Sequence, residues 1–305
     1  MAERQQDPQQ ARRHDHQPGR AVMVTGATGG IGFATARLLS ERGYMVYAGI
    51  RGEGGALTDL PGVRLLPMDV SDPDSVAAAA EQVRLDVGED GLRAVVNNAG
   101  IIIQGPLELV PPAQLRQQFE VNTFGPAYVI QTFLPLLRAG GGRVVNVSAV
   151  SGRVAVPFMA PISASKAALE SLSNALRLEL AAWNVPVVVV EPGTTDTAIF
   201  AKAGAATEAA LERTDQRRVA LYRDHLAAVE KAFAKYKAAS VDGVSRTILA
   251  AVEADRPKRR YTVGDARFLA LLTRIPAGLR DRIIERTLGL RGAGANLPTP
   301  VATSR

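Results

Sequence analysis

The sequence predicts an α/β chain folded as a single doubly wound parallel-sheet domain with a helical lid insertion. Three observations carry this. Strand-length runs are apolar throughout, they alternate with helix-length segments, and no linker interrupts the alternation. A chain of 305 residues has room for two domains of about 150 residues each, but the unbroken alternation argues for one. Right-handed crossovers between parallel strands then place helices on both faces of the sheet.

The elements follow in order. Residues 1–20 mix Gln, Arg, Asp and Pro without a period and read as a disordered tail. AVMVT at 21–25 is the first strand; glycines follow it, and residues 30–41 read as a helix. MVYAGI at 45–50 and VRLLPM at 63–68 are the next two strands. Ser71 followed by Asp74 makes a capping-box-like start for an alanine-rich helix. RAVVN at 93–97 is the fourth strand, a long helix is expected over 112–137, and GRVVNVS at 142–148 is the fifth strand. A further helix over 159–183 leads to a sixth strand, VPVVVVE at 185–191, and YTV at 261–263 offers a seventh. Residues 194–238 break the alternation with two charged, alanine-rich helices, either a lid over a ligand or a plain structural insertion. The domain body is expected to span 21–290, with 291–305 a second disordered tail.

Composition narrows the function. At 47% hydrophobic and 22% charged residues the chain is an ordinary globular one. It has no cysteine, which excludes disulfides, thiolate catalysis and cysteine-ligated metals. His14, His16 and His225 are too scattered to build a metal site, so none is expected. No run approaches the roughly 18 apolar residues of a membrane span. The first twenty residues lack the apolar stretch of a secretory signal, and a cytoplasmic location is expected. Between Arg256 and Arg291 ten basic residues face three acids, so the net charge of +6 belongs to the C-terminal segment and the rest sums to about −1. That segment lacks interleaved aromatics, and no nucleic-acid partner is expected. Its apolar–basic stretch, residues 268–290, is expected to pack on the domain; covering a pocket or touching a membrane are the alternatives, and a membrane partner is not expected.

The first strand runs into Thr25-Gly26-Ala27-Thr28-Gly29-Gly30-Ile31-Gly32, which opens the first helix. Glycines let the backbone turn sharply and approach a pyrophosphate, with the helix N-terminus aimed at it. That placement between strand and helix is the context a dinucleotide cradle of the Rossmann kind requires. At the end of the second strand, where a carboxylate would hold the ribose 2′-hydroxyl of NAD, stands Ile50, followed by Arg51. A guanidinium suits the 2′-phosphate of NADP, so NADP(H) is favoured over NAD(H), with Glu53 a rival acid in the loop beyond.

The TGxxxGIG spacing resembles the short-chain dehydrogenase/reductase family, and five further segments over residues 20–264 agree. Asn97-Asn98-Ala99-Gly100 matches its NNAG motif, Asn122 its structural and catalytic asparagine and Ser148 its catalytic serine. Lys166 matches the lysine of YxxxK, and Pro192-Gly193 with Thr194 and Thr197 matches the segment that contacts nicotinamide. The resemblance implies that Asp69, with Val70 beside it, contacts the adenine; a capping role near Ser71 is the plainer alternative for that acid. It also implies a homo-oligomer and a small-molecule substrate. One position departs. Where the family has its proton-donating tyrosine, the chain has Ile162, so the motif reads ISASK. The expected activity is therefore an NADP(H)-dependent oxidoreductase acting on a carbonyl or secondary alcohol of an apolar substrate, through a non-standard proton relay. Ser148, a water near Lys166 or an acid on the substrate itself would supply the proton. The alternatives are a non-redox isomerase or cyclase and a catalytically silent nucleotide-binding protein.

Overall fold

A computed structural model of the protein describes residues 19–235 and 238–292. The two tails expected from the sequence, with His14 and His16, fall almost wholly outside these residues. Among the described residues the strands are β1 (Ala21–Thr25), β2 (Met45–Ile50), β3 (Val63–Pro67), β4 (Ala94–Asn97), β5 (Arg143–Val147), β6 (Val187–Pro192) and β7 (Arg260–Val263). The helices are α1 (Gly30–Glu41), α2 (Pro73–Val87), α3 (Pro112–Phe119), α4 (Gly125–Ala139), α5 (Ala160–Glu179), α6 (Ala198–Glu212), α7 (Gln216–Phe233), α8 (Val241–Glu253), α9 (Ala266–Leu271) and α10 (Ala277–Thr287).

The seven strands form one parallel sheet in the order β3-β2-β1-β4-β5-β6-β7. Successive residues of each strand point to opposite faces, and each face has its own core. Met23, Val95 and Val144 pack with Val83, Val129 and Phe133 on one side. Val22, Val96 and Val145 pack with Leu39, Ile248 and Val252 on the other. Burial on both faces explains why the strands are apolar without alternation. The order reverses between β1 and β4, and the crevice at their carboxyl ends is where an open sheet of this kind takes its ligand.

Three local expectations are corrected. The helix expected over 112–137 is interrupted: a π-turn at Glu120–Phe124 separates α3 from α4 and carries the buried Asn122. Such widened turns recur at functional sites. The cap of α2 is Asp72, which accepts from Asp74 N at 3.0 Å with Pro73 at the first helical position. Ser71 is drawn away instead, donating from N and Oγ to Asp69 Oδ1 at 2.9 and 2.7 Å. The helix after the fifth strand ends at Glu179 and tightens into a 3₁₀ turn at Leu180–Trp183.

The helical insertion leaves the sheet after β6 and returns to the same point. Ala239 N donates to Thr194 O and Asp196 N to Ala239 O, both at 2.9 Å, so α6 and α7 hang from a closed neck.

Candidate active site

The glycine cluster turns the chain sharply between β1 and α1. Gly26 has φ +62°, and a Cβ there would stand 2.8 Å from Ala99 Cα. A Cβ on Gly32 would stand 2.2 Å from Gly26 O. Thr25 and the NNAG segment lock together: Thr25 Oγ1 accepts from Asn98 N (3.0 Å) and Ala99 N (2.9 Å), while Asn98 Nδ2 donates to Thr25 O (3.0 Å) and Gly26 O (3.1 Å). The N-terminus of α1 has no side-chain cap, and Thr28, Gly29 and Gly30 lie open around it with Ile31 half-buried. A Cβ on Gly30 would meet Thr197 Cγ2 at 2.8 Å, so its absence admits the segment after β6 to the cradle. Open helix N–H groups and a surface that only glycine leaves free fit a dinucleotide phosphate.

On α5, Ile162, Lys166, Glu170 and Ser173 recur every three or four residues and so share one face, which packs along β5. Lys166 Nζ donates to Val147 O at 2.7 Å. Glu170 Oε1 accepts from Ser148 Oγ at 2.9 Å, and Ser173 Oγ accepts from Asn146 Nδ2 at 2.8 Å. Asn146 Oδ1 in turn accepts from Asn97 Nδ2 at 2.8 Å. Lys166 is enclosed, and burial lowers its ammonium to about 8 against the opposing pull of Glu170. Gly100 borders the amine: a Cβ there would lie 3.4 Å from Asn122 Oδ1 and 3.8 Å from Lys166 Nζ.

Two expected roles change in this setting. Ser148 turns its hydroxyl under α5 to Glu170 and is buried there, which departs from a serine facing a substrate oxygen. The half-buried residue at the end of the strand is Ala149, which has no hydroxyl. Asn122 spends both ends of its amide on one residue, accepting from Ile101 N and donating to Ile101 O, each at 2.9 Å. Gln118, one turn earlier, accepts from Ile103 N (2.6 Å) and donates to Ile101 O (2.8 Å). Together they hold the loop that follows NNAG. Gln118 was missed, although its spacing from Asn122 was the available signal.

Glu170 leads to a buried charge cluster that the sequence reading also missed. Its Oε2 accepts from Arg260 Nη1 at 2.7 Å, and Arg260 pairs with Glu191 as well. Arg153 forks onto Glu191 at 2.7 and 2.8 Å, and Thr262 Oγ1 donates to the same carboxylate at 2.8 Å. Burial pushes the Glu170 carboxyl up, opposed by Arg260. Pro192, Gly193 and Thr194 follow Glu191 at the carboxyl end of β6.

At the ends of β2 and β3, Ile50 is buried and Arg51 lies exposed with Nη1 3.9 Å from Asp69 Oδ2. Burial pushes the Asp69 carboxyl up, but hydrogen bonds from Ser71 and the Arg51 charge outweigh it and hold it below its usual range. Asp69 thus caps the turn into α2 with one oxygen and faces Arg51 with the other. Val70 points inward; a Cβ on Gly125 would stand 2.9 Å from Val70 Cγ2, so only its backbone faces the crevice rim.

The insertion meets the segments around this crevice. Thr207 Oγ1 on α6 donates to Gln104 O at 3.1 Å. Tyr222 on α7 sets its ring edge-on to Phe158 at 6.3 Å and donates to Glu108 Oε2 at 2.7 Å. Phe158 itself has φ +64°, a conformation costly for a bulky residue, and its carbonyl is held by Gly105 N at 2.7 Å. Strain of this kind collects where function fixes a side chain.

Residues 20–208 match the short chain dehydrogenase family. The chain belongs to the short-chain dehydrogenase family. That places it among oxidoreductases acting on CH–OH groups. It is 33% identical over 282 residues to an NADPH-dependent 3-dehydrocapnine reductase of Ornithobacterium rhinotracheale, covering 88% of this chain and 97% of that protein. It is 30% identical over 256 residues to a 3-amino-tetrahydro-pyrrolizinone reductase of Xenorhabdus hominickii, covering 81% and 87% respectively. Among solved structures, a short-chain dehydrogenase of Burkholderia cenocepacia in complex with NADP superposes with a TM-score of 0.68 at 28% identity, over 88% of this chain and 97% of that one.

Proposed function

We propose that the protein is an NADP(H)-dependent oxidoreductase of carbonyls or secondary alcohols, acting on an apolar substrate through a proton relay without the family's tyrosine. The observation that carries the reading is the juxtaposition of an intact phosphate cradle with exposed Arg51 beside a buried Ile50. The reductase relative whose name includes NADPH and the NADP-bound structural neighbour support the same cofactor. Thr25, Gly26, Thr28, Gly30, Gly32, Arg51, Asn97, Ala99, Gly100, Thr194, Thr197 and Lys166 are the residues proposed to hold it. When bound, the nicotinamide supplies or accepts a hydride at the substrate carbon.

The chain's own groups must then handle the proton. Ile162 has none to give. Ser148 already donates to Glu170. Lys166, at about 8, keeps its proton at Nζ at neutral pH, beside Asn122 and Gly100. A water held at that amine, or an acid on the substrate itself, is therefore the proton source this reading requires. In this reading Phe158 and Tyr222, whose rings meet edge-on, serve as an apolar wall, with α6 and α7 as a lid. A non-redox catalyst on the same scaffold is the second reading, favoured by the apolar Ile162 one turn before Lys166.

Calorimetry with NADPH and NADH tests the cofactor. NADPH should bind more tightly, and Arg51→Ala should remove most of the difference; equal affinities in the unaltered protein overturn the assignment. Single-turnover loss of reduced-nicotinamide absorbance across a ketone and aldehyde panel separates the redox reading from the non-redox one.

A further inference from the structure

The C-terminal helices divide their apolar residues between two directions. On α10, Ile284 packs inward with Leu288 against Val229 and Ala232 of α7, in the same small core as Val156 and Phe158. At 100° per residue, Leu279, Ile283 and Arg286 fall together on the opposite side, with Arg282 beside them. Leu279 is 51% and Ile283 38% exposed. The helix's acids lie off this side: Asp281 is 3.6 Å from Arg280, and Glu285 is 3.3 Å from Arg291. On α9, Ala266 is buried while Phe268, 76% exposed, and Leu271 stand three residues apart on its outer side, flanked by exposed Arg267 and Arg274. Large apolar side chains left facing outward lose the gain of burial, and the arginines among them carry the positive charge of this segment.

We infer that the outer faces of α9 and α10 serve as interfacial docking elements for an anionic phospholipid bilayer. The arginines supply the charge complementarity, and Phe268, Leu271, Leu279 and Ile283 supply the apolar insertion that such binding needs. No helix among the described residues is long and apolar enough to cross a membrane, so the contact is peripheral. The sequence expectation was packing on the domain, with membrane contact as an alternative; one side packs and the other is left out. The inner side of α10 shares the small core that holds Phe158, so the docking face of α10 is the side turned away from that core. The inference does not rest on the redox reading.

Sedimentation of the whole protein with phosphatidylcholine vesicles, with and without phosphatidylglycerol, tests it. Binding is expected only with phosphatidylglycerol and should weaken as salt is raised. Phe268→Ser combined with Leu279→Ser and Ile283→Ser should lower the bound fraction by about tenfold or more, with melting temperature and NADPH affinity unchanged. A second variant, Arg282→Gln with Arg286→Gln, should weaken binding and flatten its salt dependence. The inference is overturned if the unaltered protein leaves anionic vesicles unbound, or if the serine variant binds them as before. It is equally overturned if that variant instead dissolves a dimer that fails to bind vesicles, since the face would then belong to a second copy of the chain.

Discussion

Ile162 stands one helical turn before Lys166 on the face of α5 that packs along β5, and it is only 5% exposed. An isoleucine there closes the stripe with an apolar group where a proton donor would face the substrate oxygen. Ile162→Tyr should restore that donor. A positioned general acid supplies roughly 10²–10⁴-fold, so stopped-flow reduction of at least one panel carbonyl should accelerate by up to that factor. The larger ring is expected to cost about 1–3 kcal/mol of stability, read from denaturant melts, because the site is already closed. A folded, NADPH-binding variant with no gain would favour the non-redox reading. Because Ser148 serves Glu170, the restored phenol would act with Lys166 alone, and the gain should lie toward the lower end of the range.

The junction of β1, α1 and the NNAG segment depends on what glycine lacks. Gly26 has positive φ and no space for a Cβ, and it is latched to Asn98 through its own carbonyl. Gly26→Ala meets both obstacles. The left-handed conformation alone costs about 1–2 kcal/mol for an alanine, and the clash with Ala99 adds to it. Thermal melts should show a loss of at least that size, and calorimetry should show weaker NADPH binding because the cradle and the NNAG segment are pushed apart. Retained stability with unchanged affinity would mean that the latch is not what shapes the cradle.

Across the molecule, the cluster of Glu170, Glu191, Arg153, Arg260 and Thr262 ties α5, β6, β7 and the loop after β5 beneath the crevice. Its pairs are charge-balanced only as a set. Arg260→Met leaves two buried carboxylates short of a partner, which should cost about 3–5 kcal/mol at neutral pH. The pH dependence follows from Glu170, whose carboxyl is already raised by burial and loses its main opposing charge in the variant. A raised carboxyl binds a proton more readily in the folded than in the unfolded state. The deficit should therefore shrink as pH is lowered toward the unfolded carboxyl range near 4.5, and grow again on returning to neutrality. Urea melts across that window check the sign; a deficit independent of pH would remove Glu170 from the account.

Much of this protein was legible from residue order, because the signals involved are local. Apolar runs such as VVVV before Glu191 can only be strands covered on both faces, and glycines between a strand and a helix report a close backbone approach wherever they occur. That Ile162 stands where the family resemblance leads one to expect a tyrosine was likewise read from spacing alone. Tertiary structure decided which way the chemistry-bearing side chains turn. Ser148 is assigned to Glu170 by the pleat at the end of β5 and the stripe on α5, and neither strand nor helix alone specifies that pairing. The π-turn that carries Asn122 coincides with hydrogen bonds from its side chain to Ile101, twenty-one residues away. Which side of α10 is buried was not given by its sequence, whose apolar residues fall on more than one side; packing against α7 determined which of them were buried and which were left facing outward.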